Sequence, residues 1–222
     1  MPAHLISEYT TRQVGSEETE ADMAAQGTSD MTADALTTER ARLFALLGRL
    51  LVAAPDAGLL AALRDLRGGP SILGEAYGAI AAAAAAADPV SAQREFHDLF
   101  IGLGRGELLP FGSYYLTGFL HERPLAELRG DLARLGLERA DGIAEPEDHI
   151  ATECEVYAGL LSGGFTGGTA EAEAFFDKHL RPWAGRFFTD LERASAARFY
   201  RAVGTLGRTA IEIEQAALGL PR

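Results

Sequence analysis

Lysine is almost absent from this chain: Lys178 is the only one among 222 residues, and the net charge is −12. A Gly-Lys-Ser/Thr phosphate loop is therefore absent. Contacts with nucleic-acid phosphates need clusters of lysine and arginine, so we expect no nucleic-acid partner. An acidic surface suits a basic partner instead, such as a positively charged peptide.

Cysteine is equally scarce, since Cys154 is the only one. An internal disulfide and a Cys-rich zinc site are excluded. The first residues lack the basic start and apolar stretch of a secretory signal. The longest apolar run, 79–87, is too short to cross a bilayer. We expect a cytoplasmic protein without stable insertion into a membrane.

The first 36 residues are polar and rich in acids. Up to residue 40 the chain has eight acidic residues and two arginines. Such a segment has too few apolar side chains to offset the entropy of ordering. We expect residues 1–36 to form an acidic, flexible tail, with a short helix around residues 17–25 as an option.

Residues 37–222 have helical periodicity throughout. Phe96, Leu99, Phe100 and Leu103, for example, recur at the spacing of one helix face. Thr37 or Thr38 is a candidate cap for the first helix. Neither alternating strands nor a fixed repeat is present. The pattern predicts an all-α fold, a single compact domain of about nine helices.

The stretch 102–112 contains four glycines and one proline in eleven residues. Gly102, Gly104 and Gly106 permit positive φ or close backbone approach. A dinucleotide loop is excluded because no strand precedes the glycines and the GxGxxG spacing is incomplete. Two interpretations stay open: a tight helix connection packed under aromatic side chains, or a binding loop.

The segment Glu145-Pro146-Glu147-Asp148-His149 has the composition of a helix start. Pro146 suits a first helical turn, and the acids after it suit the positive helix N-terminus. His149 is not explained in this way. A carboxylate beside a histidine can raise the imidazole pKa. The functional interpretation is a polar grip on a peptide or a lock on a hinge; the structural one is a helix start.

Catalytic and metal-binding patterns are weak. His149 and Glu153 are four residues apart, but the Glu-x-x-His motif of helical di-metal proteins is absent. No Gly-x-Ser-x-Gly elbow is present. Cys154 lies on an apolar helix face, as an inert core thiol would, and Ser113 suits a helix N-cap. We expect no catalytic residue, no metal and no cofactor.

The two unusual segments together resemble the TorD/DmsD family of redox-enzyme maturation chaperones. The resemblance covers about residues 37–218 and rests on an L-F-x-G-x-G-x-G stretch that runs into P-x-x-S-x-Y, followed later by E-P-x-D-H. In this chain these are Leu99, Phe100, Gly102, Gly104, Gly106, Pro110, Ser113, Tyr115, Glu145, Pro146, Asp148 and His149.

The resemblance implies a chaperone without catalytic activity. Members of the family bind the twin-arginine signal peptide, and often the body, of a molybdopterin enzyme precursor. They hold it in the cytoplasm until the cofactor is inserted, before export. Clients include formate dehydrogenases and the dimethyl-sulfoxide, trimethylamine-oxide and nitrate reductases. The expected partner of this chain is such a precursor of a molybdenum-containing oxidoreductase, with its leader.

The resemblance also implies roles for single residues. Gly102, Gly104, Gly106 and Pro146 are expected to shape the loops. The candidate client-binding residues are Leu99, Phe100, Pro110, Ser113, Tyr115, Glu145, Asp148 and His149. We hypothesise that Asp148 and Glu145 face the arginines of the leader, because carboxylates bind guanidinium groups through paired hydrogen bonds. Phe100 and Tyr115 would floor an apolar groove.

Two other functions and one assembly remain as alternatives. The chain could be a helical small-molecule-binding protein or enzyme that uses the glycine-rich loop and His149. It could also be a structural subunit of a redox complex. Helix exchange between two chains, with residues 137–145 as the hinge, would give a homodimer.

Overall fold

The computed structural model describes residues 20–138, 145–165 and 168–219, with side chains from residue 34 onward. The chain forms helices in the following order. They are α1 Glu20–Val52, α2 Ala57–Arg64, α3 Ile72–Ala86, α4 Pro89–Phe96, α5 Gly112–Thr117, α6 Arg123–Arg134, α7 Ile150–Leu161, α8 Gly168–Phe175, α9 Ala184–Arg193 and α10 Phe199–Leu218. Helices α4 and α8 each continue into a π-helical turn, His97–Ile101 and Phe176–Leu180 respectively. The predicted all-α fold is confirmed.

Short polar side chains explain where the early helices begin. Asp56 accepts a hydrogen bond from the Leu59 N–H at the start of α2, over 2.8 Å. Asp88 forms a capping box with Ser91 ahead of Pro89, which occupies the first turn of α4. Each cap satisfies N–H groups that have no partner inside their own helix.

Helix α7 is the centre of the core. Ten of its twelve residues are buried, among them Cys154 and Tyr157. Helices α1 and α8 pack against it, while α10 packs against α9 and α3. A helix that is apolar nearly all round must be enclosed by its neighbours, and this explains the central position of α7.

A buried polar cluster joins three of these helices. The Arg40 guanidinium of α1 donates two hydrogen bonds to the Glu214 carboxylate of α10, over 2.8 and 2.6 Å. The Tyr157 hydroxyl of α7 donates to the same carboxylate over 2.7 Å. Glu214 is only 2% exposed. Two charge-assisted hydrogen bonds from one guanidinium offset part of the free energy that burial of a carboxylate costs.

Several helix starts differ from the sequence prediction. Helix α1 already begins at Glu20, so neither Thr37 nor Thr38 caps it, and the helix runs through the expected tail boundary at residue 36. Helix α7 begins at Ile150 instead of Pro146, because the His149 side chain is its N-cap. The expected tail up to residue 19 lies outside the described residues, as do residues 139–144 of the proposed hinge.

Among the described residues, no helix combines the length and the apolarity that a membrane span requires.

Replacing Arg40 by methionine should destabilise the fold. The substitution leaves the Glu214 carboxylate buried without its cation, and we expect the free energy of unfolding to fall by about 3 kcal/mol. Urea denaturation followed by circular dichroism measures this change.

The matched control is Arg42→Met. Arg42 forms an exposed pair with Glu39 one turn away, so its loss should change the free energy of unfolding by less than about 0.5 kcal/mol. Equal losses in the two variants would contradict the role given to the buried cluster.

Candidate functional site

The two segments singled out in the sequence meet in space through a short antiparallel bridge between Phe111 and His149. The Gly112 N–H donates to the Asp148 carbonyl over 2.8 Å, and the Ile150 N–H donates to the Pro110 carbonyl over 2.9 Å. The rings of Phe111 and His149 pack edge to face, with centroids 5.2 Å apart. The bridge therefore fixes the start of α5 against the start of α7.

Asp148 lies under this bridge and is 2% exposed. Its Oδ2 accepts a hydrogen bond from the Ser113 N–H over 2.8 Å. Among the described residues, Asp148 Oδ1 and the Ser113 hydroxyl are buried without a hydrogen-bond partner. The predicted N-cap role of Ser113 is wrong, because α5 begins one residue earlier and the cap position belongs to Phe111. The carboxylate of Asp148, which lies just ahead of α7, caps the Ser113 N–H instead.

Beside Asp148 lies a second buried carboxyl group, that of Glu153. Its Oε2 accepts from the Trp183 indole N–H over 3.1 Å. Burial raises the pKa of Glu153 well above its usual range; the indole hydrogen bond opposes the rise and the charge of Asp148 adds to it. A Cβ on Gly112 would come within 3.1 Å of the indole nitrogen and 3.2 Å of Glu153 Oε1. A side chain at position 112 would therefore have to push the indole or the Glu153 carboxyl group aside by a few tenths of an ångström.

His149 has a structural partner of its own. Its Nδ1 accepts a hydrogen bond from the Ala151 N–H over 3.1 Å, which places the imidazole proton on Nε2. Burial lowers the pKa of His149 from 6.5 to about 4. The expectation that a neighbouring carboxylate raises this pKa is wrong, because the Asp148 carboxylate is turned towards Ser113. His149 is thus neutral near pH 7.

The glycine-rich loop folds back on the π-helical turn before it. Gly102 and Gly104 have φ values of 61° and 90°, in the region that favours glycine. A Cβ on Gly106 would lie 2.5 Å from the carbonyl carbon of Phe100. These positions agree with the predicted shaping of the loop by its glycines. In the other segment, the Pro146 carbonyl accepts a hydrogen bond from the His149 N–H over 3.2 Å.

Glu107 anchors the far end of this loop to the linker between α9 and α10. Its Oε1 accepts from the Ser195 N–H over 2.6 Å, and its Oε2 accepts from the Ala196 N–H over 3.0 Å. The hydrogen bond from Ser195 is the main cause that lowers the pKa of Glu107. Glu95 of α4 similarly accepts from the N–H groups of Arg198, Phe199 and Tyr200 at the start of α10.

Between the loop, α5 and α9 lies a cleft of about 420 Å³. Its lining residues are Arg105, Glu107, Leu108, Leu109, Tyr114, Tyr115, Gly118, Arg186 and Asp190. The Tyr115 hydroxyl donates to Asp190 Oδ2 over 3.0 Å. The Arg186 guanidinium donates to the Tyr115 carbonyl over 3.2 Å and lies over the Tyr115 ring. The cleft therefore combines aromatic faces with charges of both signs.

Exposed apolar side chains adjoin the cleft at the end of α5. Leu116, Phe119 and Leu120, here called the apolar patch, are 43, 69 and 37% exposed. In the chain they flank the cleft residues Tyr115 and Gly118. Large apolar side chains grouped on a surface are typical of binding sites.

The described residues offer no group of three His, Cys, Asp or Glu side chains suited to a metal ion. His149 and Glu153, the pair with ligand-like spacing, are each engaged elsewhere, with Ala151 and Trp183 respectively.

A family model described as the nitrate reductase delta subunit matches residues 69–189, more than half of the chain. The chain belongs to this family. It is the family of the TorD redox-enzyme maturation chaperones, as the two sequence motifs predicted. The matched range includes both motifs, the bridge and every lining residue of the cleft except Asp190, which directly follows it.

Curated relatives agree with this membership. The chain is 26% identical over 133 residues to "Chaperone protein TorD" from Vibrio cholerae serotype O1, and 31% identical over 125 residues to "Chaperone protein YcdY" from Escherichia coli K12. Each match covers 56% of this chain, and 60 and 63% of the respective relative. The chain thus spans about three fifths of the length of these relatives.

A solved structure shares the fold. The crystal structure of a protein from Archaeoglobus fulgidus, proposed to act in redox enzyme maturation, superposes with a TM-score of 0.54. The match covers 78% of this chain and 93% of that chain at 22% identity. At this identity the likeness concerns the fold alone.

The predicted client-binding residues of this TorD-family chain differ in how far their side chains are exposed. Leu99, Pro110, Ser113 and Asp148 are buried, and Tyr115 is buried except for its edge on the cleft. Phe100 packs against Phe96 and Tyr200 and is not in the cleft lining. Glu145 is exposed. The burial of Asp148 does not fit the hypothesis that it faces a client arginine directly, and Phe100 does not floor the cleft.

Sequence reasoning missed several residues of this TorD-family cleft. Arg105 and Glu107 lie in the singled-out loop, where their charges in an otherwise apolar stretch were the available signal. Arg186 and Asp190 carried no such signal. They lie on α9 and reach the cleft only because α9 packs against α5.

Replacing Asp148 by alanine should destabilise the fold, because the Ser113 N–H then lies buried without an acceptor. We expect a loss of about 2 kcal/mol in the free energy of unfolding. The matched control, Glu145→Ala, removes an exposed acid from the same segment and should change it by less than about 0.5 kcal/mol. Chemical denaturation of both variants measures the difference, and equal effects would contradict the capping role.

The His149→Asn variant should alter the dependence of stability on pH. The folded-state pKa lies below the unfolded one, so the unfolded state takes up the proton first and the wild type loses stability as the pH falls from 6.5 towards 4. Asparagine can accept from the Ala151 N–H but does not titrate. Between about pH 7 and pH 5 the wild type should lose about 2 kcal/mol relative to the variant.

Thermal or urea unfolding at both pH values tests this expectation. Parallel pH profiles of the wild type and the variant would mean that His149 has an ordinary pKa in the folded protein.

Proposed function

We propose that this protein is a chaperone of redox-enzyme maturation that binds the precursor of a molybdenum-containing oxidoreductase subunit. It binds the twin-arginine leader, the apo form of the enzyme, or both, in the cytoplasm, during cofactor insertion and before export. Formate dehydrogenases and the dimethyl-sulfoxide and trimethylamine-oxide reductases are the candidate clients. Membership of the TorD family and the chaperone names of the curated relatives support the proposal.

The observation that carries the proposal is the junction of the two family motifs. The bridge between Pro110–Gly112 and Asp148–Ile150 fixes α5. The same helix supplies Tyr114 and Tyr115 to the cleft and ends in the apolar patch. The motifs therefore support a surface that combines apolar contact with charge, as recognition of a leader peptide requires.

The buried motif residues act on this surface indirectly. Asp148 and His149 are engaged with backbone N–H groups, and Glu153 with the indole of Trp183. The Trp183 ring packs against Tyr115 at 5.5 Å between centroids. In the proposed function, E-P-x-D-H thus positions α5 and Tyr115, and the exposed residues of the cleft touch the client.

The alternative of an enzyme or small-molecule-binding protein that uses His149 receives less support. A catalytic base needs a free lone pair within reach of the substrate. The Nδ1 lone pair of His149 already accepts from Ala151, and His149 is not among the cleft lining residues.

Affinity capture from the native cytosol tests the proposal. Tagged wild-type protein should retain a redox-enzyme subunit that still carries its uncleaved leader, identified by mass spectrometry. Leu116→Ser and Phe119→Ser each remove part of the apolar patch and should lower the recovery at least about threefold. Val90→Ser, which changes an apolar side chain on α4 that is 67% exposed, is the control and should leave recovery unchanged.

Reproducible absence of such a subunit, under conditions in which redox enzymes are being made, would overturn the proposal. Stoichiometric retention of the mature, leader-free enzyme would favour the structural-subunit interpretation instead.

A further inference from the structure

Among the described residues, Asp190 is the one cleft carboxylate with an oxygen atom that accepts no hydrogen bond. Its side chain is exposed, and its Oδ2 accepts from the Tyr115 hydroxyl. It belongs to none of the ion pairs found within the described ranges, although Arg186 lies one turn earlier on α9. Glu107, the other acid of the cleft, has both oxygens occupied by the linker backbone.

The two arginines of the cleft stack on tyrosine rings instead of forming ion pairs with these acids. The Arg105 guanidinium lies 5.5 Å from the centre of the Tyr114 ring and donates to the Tyr114 hydroxyl. The Arg186 guanidinium lies 5.6 Å from the centre of the Tyr115 ring. Stacking on an aromatic face satisfies a guanidinium without a carboxylate. Asp190 therefore keeps its Oδ1 available for a cation from outside the chain.

The side chains around Asp190 indicate what kind of ligand would carry this cation. The apolar patch begins at Leu116, directly after Tyr115, whose hydroxyl holds Asp190. A ligand that meets both features carries a positive charge next to apolar side chains. The net charge of −12 favours the approach of such a cation over that of an anion.

We propose that Asp190, held in place by the Tyr115 hydroxyl, accepts an arginine side chain of the client leader, and that the apolar residues after this arginine pack on the apolar patch. A guanidinium can donate two hydrogen bonds to one carboxylate, which an ammonium cannot match in geometry. This assignment rests on the proposed function. It transfers the arginine-binding role from the buried Asp148 to an exposed carboxylate on α9.

Two synthetic peptides test the assignment by fluorescence anisotropy. One carries two adjacent arginines followed by a short run of leucine and alanine; in the other, citrulline replaces both arginines and removes their charge with little change of shape. The wild type should bind the arginine peptide about fivefold more tightly, the upper end of what one exposed ion pair supplies. Asp190→Asn should reduce this preference to within about twofold.

Three further variants make the result specific. Asp177→Asn alters an exposed acid paired with Arg181 outside the cleft and should keep the full preference. Phe119→Ser should weaken both peptides equally, because it removes apolar contact only. Arg105→Gln should tighten the arginine peptide, because it removes a like charge from the cleft.

A preference that survives in Asp190→Asn, or a wild type without any preference, overturns the assignment. Weaker binding of the arginine peptide by Arg105→Gln overturns it as well, since Arg105 would then attract the peptide instead of repelling its arginine. Capture of the precursor by the wild-type protein is scored separately. If the protein captures its precursor but fails the peptide test, only the role assigned to Asp190 is wrong. If the capture fails, the proposed function itself is wrong.

Discussion

Two backbone hydrogen bonds and one carboxylate join the two segments that form the candidate site. The bonds link Pro110 and Gly112 to Ile150 and Asp148, and the side chain of Asp148 caps the Ser113 N–H. Helix α5 has only six residues and cannot be stable alone. Its position, and with it that of the cleft and the apolar patch, depends on this attachment to the buried helix α7.

Acidic residues serve two separate purposes in this fold. Asp148, Glu95 and Glu107 are directed at backbone N–H groups of other elements and act as long-range caps. Such carboxylates stabilise because these N–H groups, at a helix start or in the linker before α10, have no partner inside a helix. Asp190 caps no backbone N–H group among the described residues, and its side chain faces the cleft. A negative net charge therefore says little about which acids face a ligand until each carboxylate has been traced to its partners.

The fold was largely predictable, and the site only in part. Helical spacing predicted an all-helical chain, and the glycines at 102, 104 and 106 predicted a shaped loop. The start of α7 was misplaced by four residues, because Pro146 favours a first helical turn whereas the His149 side chain is the actual cap. The two motifs were correctly assigned to one family. Of their eight candidate client-binding residues, however, five are buried.

The sequence by itself determined the helices, the scarcity of lysine and cysteine, and the order of the two motifs that identifies the family. These are local properties, set by the spacing of side chains along a few turns. Only the tertiary structure decided which carboxylates are buried and which are exposed. Tyr115 and Asp190 are separated by 75 residues and meet because α5 and α9 pack together. Burial and pairing depend on such distant contacts, which no local pattern encodes.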